Sequence, residues 1–377
     1  MRGLRYERFF AILLLITGYV NGAVAQTVKA GKAENLFSVG LGLQHGTIFA
    51  HSPAVENTKG SRPTGIEAMA SWQRTDSSIF ALCNCYPRKG VMVAYYNYDN
   101  DILGKSINAA YFLEPLYRLG KNSFFSFRAT AGLSYLTNPF DSVRNPSNRS
   151  YSTRVSAYLL VGAGLWFRLG DQWWLNPSLN YQHISNGGLK EPNKGINWPT
   201  AGLTVGYQKN KGAFYKGDRS KEKFWKGEPL RWDATLLGMA RNGQDEEGIR
   251  RHFLLIGLSV QAAKQVGRIN NLTAGAEIYR DAELKVALKK DSINASPLKA
   301  GLLAGHEFIL GRFLFSQQLG LYLFDQTPYY DKLYHRWGLH YRAGDHLGIG
   351  FRLKAHRHVA DFVDVRVVYS WQKKKRK

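Results

Sequence analysis

The sequence predicts an all-β chain: a transmembrane, antiparallel barrel of the outer-membrane type with about sixteen strands. Three observations carry this. Long segments alternate between apolar and polar residues, and an export leader precedes them. No later stretch reaches the roughly 18 consecutive apolar residues that a spanning helix needs.

The leader comes first. Arg2, Arg5 and Arg8 form a basic start, Phe9 to Gly18 an apolar core, and Ala23-Val24-Ala25 a small-x-small cleavage site. Residues 1–25 therefore read as a signal peptide, and the mature chain begins at Gln26.

The strands follow from alternation. From Val155 to Leu169 the odd positions are Val155, Ala157, Leu159, Val161, Ala163, Leu165, Phe167 and Leu169. Arg154, Ser156, Tyr158, Leu160, Gly162, Gly164, Trp166 and Arg168 hold the even positions. Leu347, Ile349, Phe351 and Leu353 alternate with Gly348, Gly350 and Arg352; Val363, Val365, Val367 and Tyr369 alternate with Asp364, Arg366, Val368 and Ser370. Strands this long, apolar on one face and polar on the other, suit a bilayer, where an open sheet would leave its edges unpaired. An aromatic content of 13% fits girdles at the two interfaces.

Such segments lie near 34–50, 64–74, 89–98, 105–118, 122–136, 153–169, 172–185 and 198–209. The rest lie near 231–241, 250–262, 268–280, 297–309, 312–324, 333–343, 346–356 and 360–371. With both ends periplasmic, 137–152 and 186–197 are extracellular loops, and Gly170-Asp171-Gln172 and Gly344-Asp345 are periplasmic turns. The basic connector 209–230 breaks the rhythm, so it marks a seam between two eight-stranded halves or conceals a helix. The barrel occupies 26–372, with the chemistry in 26–209 and further strands in 210–372. About 12–14 strands, or an eight-stranded barrel with a second β unit, are the alternatives. Lys373-Lys374-Lys375-Arg376-Lys377 reads as a solvated basic tail.

The 377-residue chain carries a formal net charge of +23, and loss of the leader's three arginines and one glutamate leaves +21. Such a bias selects a polyanionic partner: nucleic acid, anionic lipid or a phosphorylated glycolipid. Export argues against nucleic acid, and no nucleic-acid-binding motif is present. Cys83 and Cys85 on an extended strand would stand about 6–7 Å apart, which strains a disulfide, so they read as incidental.

One segment carries chemistry: His183-Ile184-Ser185-Asn186-Gly187-Gly188, with Pro192-Asn193-Lys194-Gly195-Ile196-Asn197 behind it. Asn176, Ser178, Asn180 and Gln182 mark the lumen face of their strand, so His183 and Ser185 fall on the lipid face at its outer end. Asn197 shares its face with Pro199, Ala201, Leu203, Val205 and Tyr207, and so projects outward as well. A serine hydroxyl becomes a nucleophile when a neighbouring base takes its proton, and the base needs a partner that fixes its tautomer. Ser185, His183 and Asn197 fit those roles, with Glu191 as a back-up acid. The Asn186 side chain and the Gly187 and Gly188 amides are the nearest oxyanion donors. The bland reading is an interfacial polar pair, although unpaired polar groups on a lipid-facing stripe cost free energy.

The stretch from His183 to Ile196 closely resembles the active-site segment of the outer-membrane lipid A 3-O-deacylase (PagL-type) family, whose larger members are called acyloxyacyl hydrolases. A weaker likeness extends through the first eight strands, including Asn145-Pro146-Ser147-Asn148, and to Lys354-Ala355-His356. The resemblance implies a Gram-negative outer-membrane esterase that removes an ester-linked acyl chain from lipid A of lipopolysaccharide. It also implies Ser185 as nucleophile, His183 as base, Asn186 and Gly188 at the oxyanion hole, and no cofactor. The short members carry Glu where this chain has Asn197, and they end after eight strands. The His, Ser, Asn spacing also resembles outer-membrane phospholipase A, which implies calcium and a phospholipid substrate. A non-enzymatic porin or lipid transporter is the third reading.

Other polar residues have plainer readings. His51 can line a lipid A site, but as an isolated histidine it reads first as a girdle or lumen residue, like His45. His356, His358 and Asp361 are a metal set only with a further ligand. Arg154, Arg168, Arg352, Lys354 and Arg366 read as lumen cations paired with Asp or Glu.

Overall fold

A computed structural model describes residues 35–372, apart from Leu189, Lys211 and His358. The predicted leader and basic tail lie outside the described residues, as does His358. Strands β1 (Asn35–Gly46), β2 (Thr64–Arg74), β3 (Tyr86–Asn97) and β4 (Lys105–Arg118) open the chain. They continue into β5 (Ser123–Leu136), β6 (Val155–Leu169), β7 (Trp173–Ser185) and β8 (Ile196–Gln208). These eight form one closed antiparallel barrel, because β8 returns to pair with β1 from Ser38↔Gln208 to Gly46↔Thr200.

The second half repeats the plan. Strands β9 (Arg231–Gln244), β10 (Arg250–Gln265), β11 (Asn270–Asp281), β12 (Leu298–Leu310), β13 (Phe313–Phe324), β14 (Leu333–Arg342), β15 (Leu347–His356) and β16 (Val359–Gln372) close a second eight-stranded barrel through β16 and β9. The expected strand count and all-β class stand, but not the single ring. Of the alternatives, an eight-stranded barrel followed by a second β unit is the arrangement found. Alternation cannot choose between them, since it records which face each residue takes and not which edges meet.

Alternation does set the faces. Along β6 and β7, Val155, Leu159, Val161, Leu165, Leu179 and Tyr181 are exposed, while Tyr158, Leu160, Trp166, Asn180 and Gln182 are buried in the lumen. The same outward apolar band recurs on the second barrel at Leu236, Ile256, Leu258, Ile278, Leu302, Ile349, Val365 and Val367. An apolar belt of this extent around a closed sheet is a lipid-facing surface. No helix among the described residues is long and apolar enough to cross a membrane.

Neither lumen is an open pore. In the first, Arg128 holds Glu67 in a two-pronged ion pair (2.6 and 3.2 Å), and Arg88 pairs with Glu114. Above them Tyr158 donates to Gln182 (2.7 Å), which donates to Tyr96 (2.8 Å) and Thr200 (3.1 Å). In the second, Arg336 bridges Glu277 (2.9 Å) and Asp364 (2.7 Å), and Arg231 bridges Asp233 and Glu307. The cavity beside Thr235 and Arg352 is about 10 Å³, scarcely room for one water. Of the expected lumen cations, Arg366 pairs with Asp364, Lys354 with Asp361, and Arg352 donates to Gln318. Arg154 and Arg168 correct that expectation: both sit at rims and donate to backbone carbonyls, of Thr137 and Asp171 respectively.

The connector 209–230 is a plug. Among its described residues it carries a single 3-10 turn (Phe224–Gly227), and it folds back under the first barrel. There Phe214 joins Leu36, Tyr86, Phe124, Trp166 and Trp174 in a buried apolar cluster. Thr75 fixes it by donating to the Ala213 carbonyl (2.9 Å), and Tyr86 donates to the Tyr215 carbonyl. Arg268, in the β10–β11 turn, donates to the carbonyls of Ser220 (2.5 Å) and Glu222 (2.7 Å), tying the second barrel to the connector.

One cysteine expectation fails. Cys83 and Cys85 form a disulfide, with Cα atoms 5.1 Å apart. The chain there is not extended: Cys83 ends helix α1 (Ser77–Cys83), and Asn84 at φ 53° turns Cys85 back toward it.

Candidate active site

The site forms where β7 and β8 leave the barrel. His183 stands directly opposite Asn197 in the β7–β8 ladder, and Ser185 is the last residue of β7. All three take the outward parity predicted for them. His183 and Ser185 are half-buried, and Asn197 is buried.

His183 Nδ1 lies 2.6 Å from Asn197 Oδ1. An amide oxygen can only accept, so Nδ1 carries the proton and Nε2 keeps its lone pair. That is the tautomer a general base needs. Two residues on, Ser185 leaves the strand on the same face as the imidazole. Among the described residues its hydroxyl has no hydrogen-bond partner, a common state for a nucleophile without substrate.

Gly195 makes the room. Its φ is +78°, and a Cβ there would stand 2.9 Å from His183 Cε1 and 3.6 Å from Nδ1. A side chain would push the imidazole away from Asn197.

The turn 186–195 is braced from within and from the neighbouring loop. Asn186 donates through its amide group to the Lys190 carbonyl (2.7 Å) and to Ser152 Oγ (3.4 Å). Its backbone N–H donates to Asn193 Oδ1 (3.0 Å), and its Oδ1 accepts from Gly188 N–H (3.0 Å). The structure therefore spends the Asn186 side chain and the Gly188 amide on holding the turn. Of the expected oxyanion donors, Gly187 N–H is the one without a partner among the described residues. Glu191 faces away: its carboxylate accepts from Asn193 N–H (2.9 Å) and does not reach His183.

Asn145-Pro146-Ser147-Asn148 has a structural task. Asn145 and Asn148 both donate to the carbonyls of Ile102 and Asn138, at 2.7 to 3.2 Å. This rigid loop then presents the Arg149 and Ser150 carbonyls to Lys194 N–H (3.0 Å) and Gly195 N–H (2.7 Å). Exposed Arg149, Lys190 and Lys194, on the turn and the loop that braces it, put positive charge beside the site.

His51 is the residue that sequence reasoning misplaced. It is neither in the lumen nor an isolated girdle residue: its Nδ1 lies 2.9 Å from Asn197 Nδ2. Nothing in local spacing brings it there, since 146 residues separate the two. Beyond β1 the chain keeps pairing with β8, Phe49 N–H donating to the Asn197 carbonyl (2.8 Å), and this delivers His51. The remaining histidines stay apart from the site: His45 bonds Thr64 (2.9 Å) and His356 stacks on Tyr330 with centroids 4.2 Å apart. No group of three metal-ligating side chains occurs among the described residues, and His358 of the candidate set lies outside them.

Comparison with known proteins bears on the family. Residues 69–208 match the family model for lipid A 3-O-deacylase (PagL), and residues 230–374 match that for the acyloxyacyl hydrolase C-terminal domain. No curated protein matches the chain. Among solved structures, the N-terminal β-barrel domain of Pseudomonas aeruginosa OprF is similar at 16% identity, covering 46% of this chain and 99% of that chain with a TM-score of 0.27. The translocator domain of the autotransporter NalP from Neisseria meningitidis is similar at 8% identity, covering 90% of this chain and 89% of that chain with a TM-score of 0.22. Likenesses this low add nothing to the fold described above. The two family models divide the chain at the connector, one for each barrel, and together cover well over half of it. The chain belongs to the lipid A 3-O-deacylase (PagL) and acyloxyacyl hydrolase family.

Proposed function

We propose that this protein is a serine esterase of the Gram-negative outer membrane that removes an ester-linked acyl chain from lipid A of lipopolysaccharide. The observation that carries the reading is the His183–Asn197 hydrogen bond, set on the lipid face beside Ser185. His183 Nε2 takes the proton from Ser185 Oγ as that oxygen bonds to the ester carbonyl carbon. The tetrahedral oxyanion is met by Gly187 N–H. On collapse the carbon–oxygen bond to the lipid A alcohol breaks, and the alcohol leaves with the proton from His183. Water then repeats the sequence on the acyl-enzyme, releasing a free fatty acid and restoring Ser185.

Placement supports the substrate class. The acyl chain remains in the bilayer against the apolar belt, while Arg149, Lys190 and Lys194 attract the phosphates of the glucosamine head. The filled lumens weigh against a porin or transporter. Mass spectrometry of lipid A from cells carrying wild type or Ser185→Ala tests the reading: one acyl chain is lost only with wild type, and identical spectra reject it.

A phospholipase A reading has one observation in its favour, the amide at position 197 where the short deacylases carry Glu. Calcium-dependent release of fatty acid from phosphatidylethanolamine vesicles, with lipid A left intact, would select it.

A further inference from the structure

Asn197 faces two histidines at once, and only one orientation of its amide suits catalysis. Its oxygen must face His183 to hold Nδ1–H; the flipped amide would present NH2 there, force the proton onto Nε2 and block the base. In the ladder alone nothing distinguishes the two ends of the amide. The distinction comes from His51, whose Nδ1 sits 2.9 Å from Asn197 Nδ2 and, in the Nε2–H tautomer, accepts from it. With the NH2 turned to His51, the oxygen is the end of the amide that faces His183.

We propose that His51 is a positioning residue for the esterase: as an acceptor at Nδ1 it holds the Asn197 amide, and through it the His183 tautomer. Two further observations support this. Phe49 N–H donates to the Asn197 carbonyl (2.8 Å), and Ile48 N–H to the Ser61 carbonyl (3.0 Å), so the segment bearing His51 is held on both sides. Asn197 is buried, so water does not readily replace the missing acceptor. The relay also accounts for an amide serving where a carboxylate is usual. A carboxylate has two equivalent acceptor oxygens and needs no orienting partner, whereas an amide needs one.

The inference rests on the proposed esterase, and its test separates the two. In detergent-solubilised full-length protein, His51→Phe keeps ring volume but removes the acceptor. We expect kcat to fall about ten- to a hundred-fold with KM nearly unchanged. His51→Asn places an oxygen near the Nδ1 position and should recover most of the loss. In an Asn197→Asp background, where the carboxylate cannot be misoriented, His51→Phe should cost less than about two-fold. Equal costs in both backgrounds, or no rescue by Asn, would overturn the proposal and leave His51 as packing. Ring 15N spectra of His183 give a readout independent of turnover. Wild type should show the Nδ1–H tautomer and His51→Phe a mixture; an unchanged spectrum would sink the idea even if no esterase activity were found.

Discussion

His183 and Asn197 meet across the β7–β8 ladder with Nδ1 2.6 Å from Oδ1, and that pair fixes which imidazole nitrogen is free to act. Asn197→Leu removes the acceptor while keeping bulk. We expect kcat to drop roughly 10²-fold with little change in KM, because tautomer control acts on proton transfer rather than on binding. Steady-state hydrolysis of lipid A in detergent checks this.

Gly195 is predicted to be as sensitive as a catalytic residue. Gly195→Ala adds a Cβ 2.9 Å from His183 Cε1 at a φ of +78°, so the imidazole moves or the turn distorts. Turnover should fall about ten-fold or more, since small misplacements of catalytic groups are costly. Unaltered heat-modifiable gel mobility would show that the barrel still closes. Wild-type turnover in this variant would contradict the placement of the ring.

The ion pair between Glu67 and Arg128 lies fully within the first lumen. Glu67→Ala strands a buried guanidinium and should lower unfolding stability by about 3–5 kcal/mol. Urea titration in detergent micelles, followed by the loss of gel-shifted folded species, measures it. A change under about 1 kcal/mol would mean that water already solvates the pair.

Asp76 caps α1, accepting from the N–H groups of Ser78 and Ile79 beside Arg74. Partial burial raises its carboxyl pKa, but the bonds from Ser78, Arg74 and Ile79 outweigh that and leave it below 3.8. A lowered pKa contributes stability that is present above the ordinary value and disappears as pH falls through the lowered one. Protection of the α1 amides, measured relative to intrinsic exchange at each pH, should therefore fall only below about pH 4 in wild type. In Asp76→Ala that protection should be low throughout and flat with pH.

Calcium divides the two esterase readings. The proposed deacylation takes its nucleophile and base from Ser185 and His183 and routes no step through a metal, so EDTA should leave lipid A deacylation within about two-fold of its untreated rate. A loss that calcium restores would favour the phospholipase.

How much of this was legible beforehand depends on the length scale of the signal. Strand positions, the outward parity of His183, Ser185 and Asn197, and the all-β class followed from residues one to fifteen apart. A two-residue side-chain period and a fourteen-residue spacing are local properties of a strand–turn–strand unit. Closure was not legible, because whether β8 meets β1 or β9 depends on which edges find each other, and both choices keep the same faces. The Cys83–Cys85 bond was misread for a related reason: one left-handed residue, Asn84, shortened a distance that extended geometry makes too long.

The sequence by itself determined that this chain crosses lipid with alternating strands and sets a hydroxyl, an imidazole and an amide along one outer edge. Only the tertiary structure decided that there are two rings, that the connector plugs the first, and that His51 completes the row. Periodicity and spacing act through neighbours along the backbone, whereas ring closure and the contact between positions 51 and 197 form when distant edges pair in space.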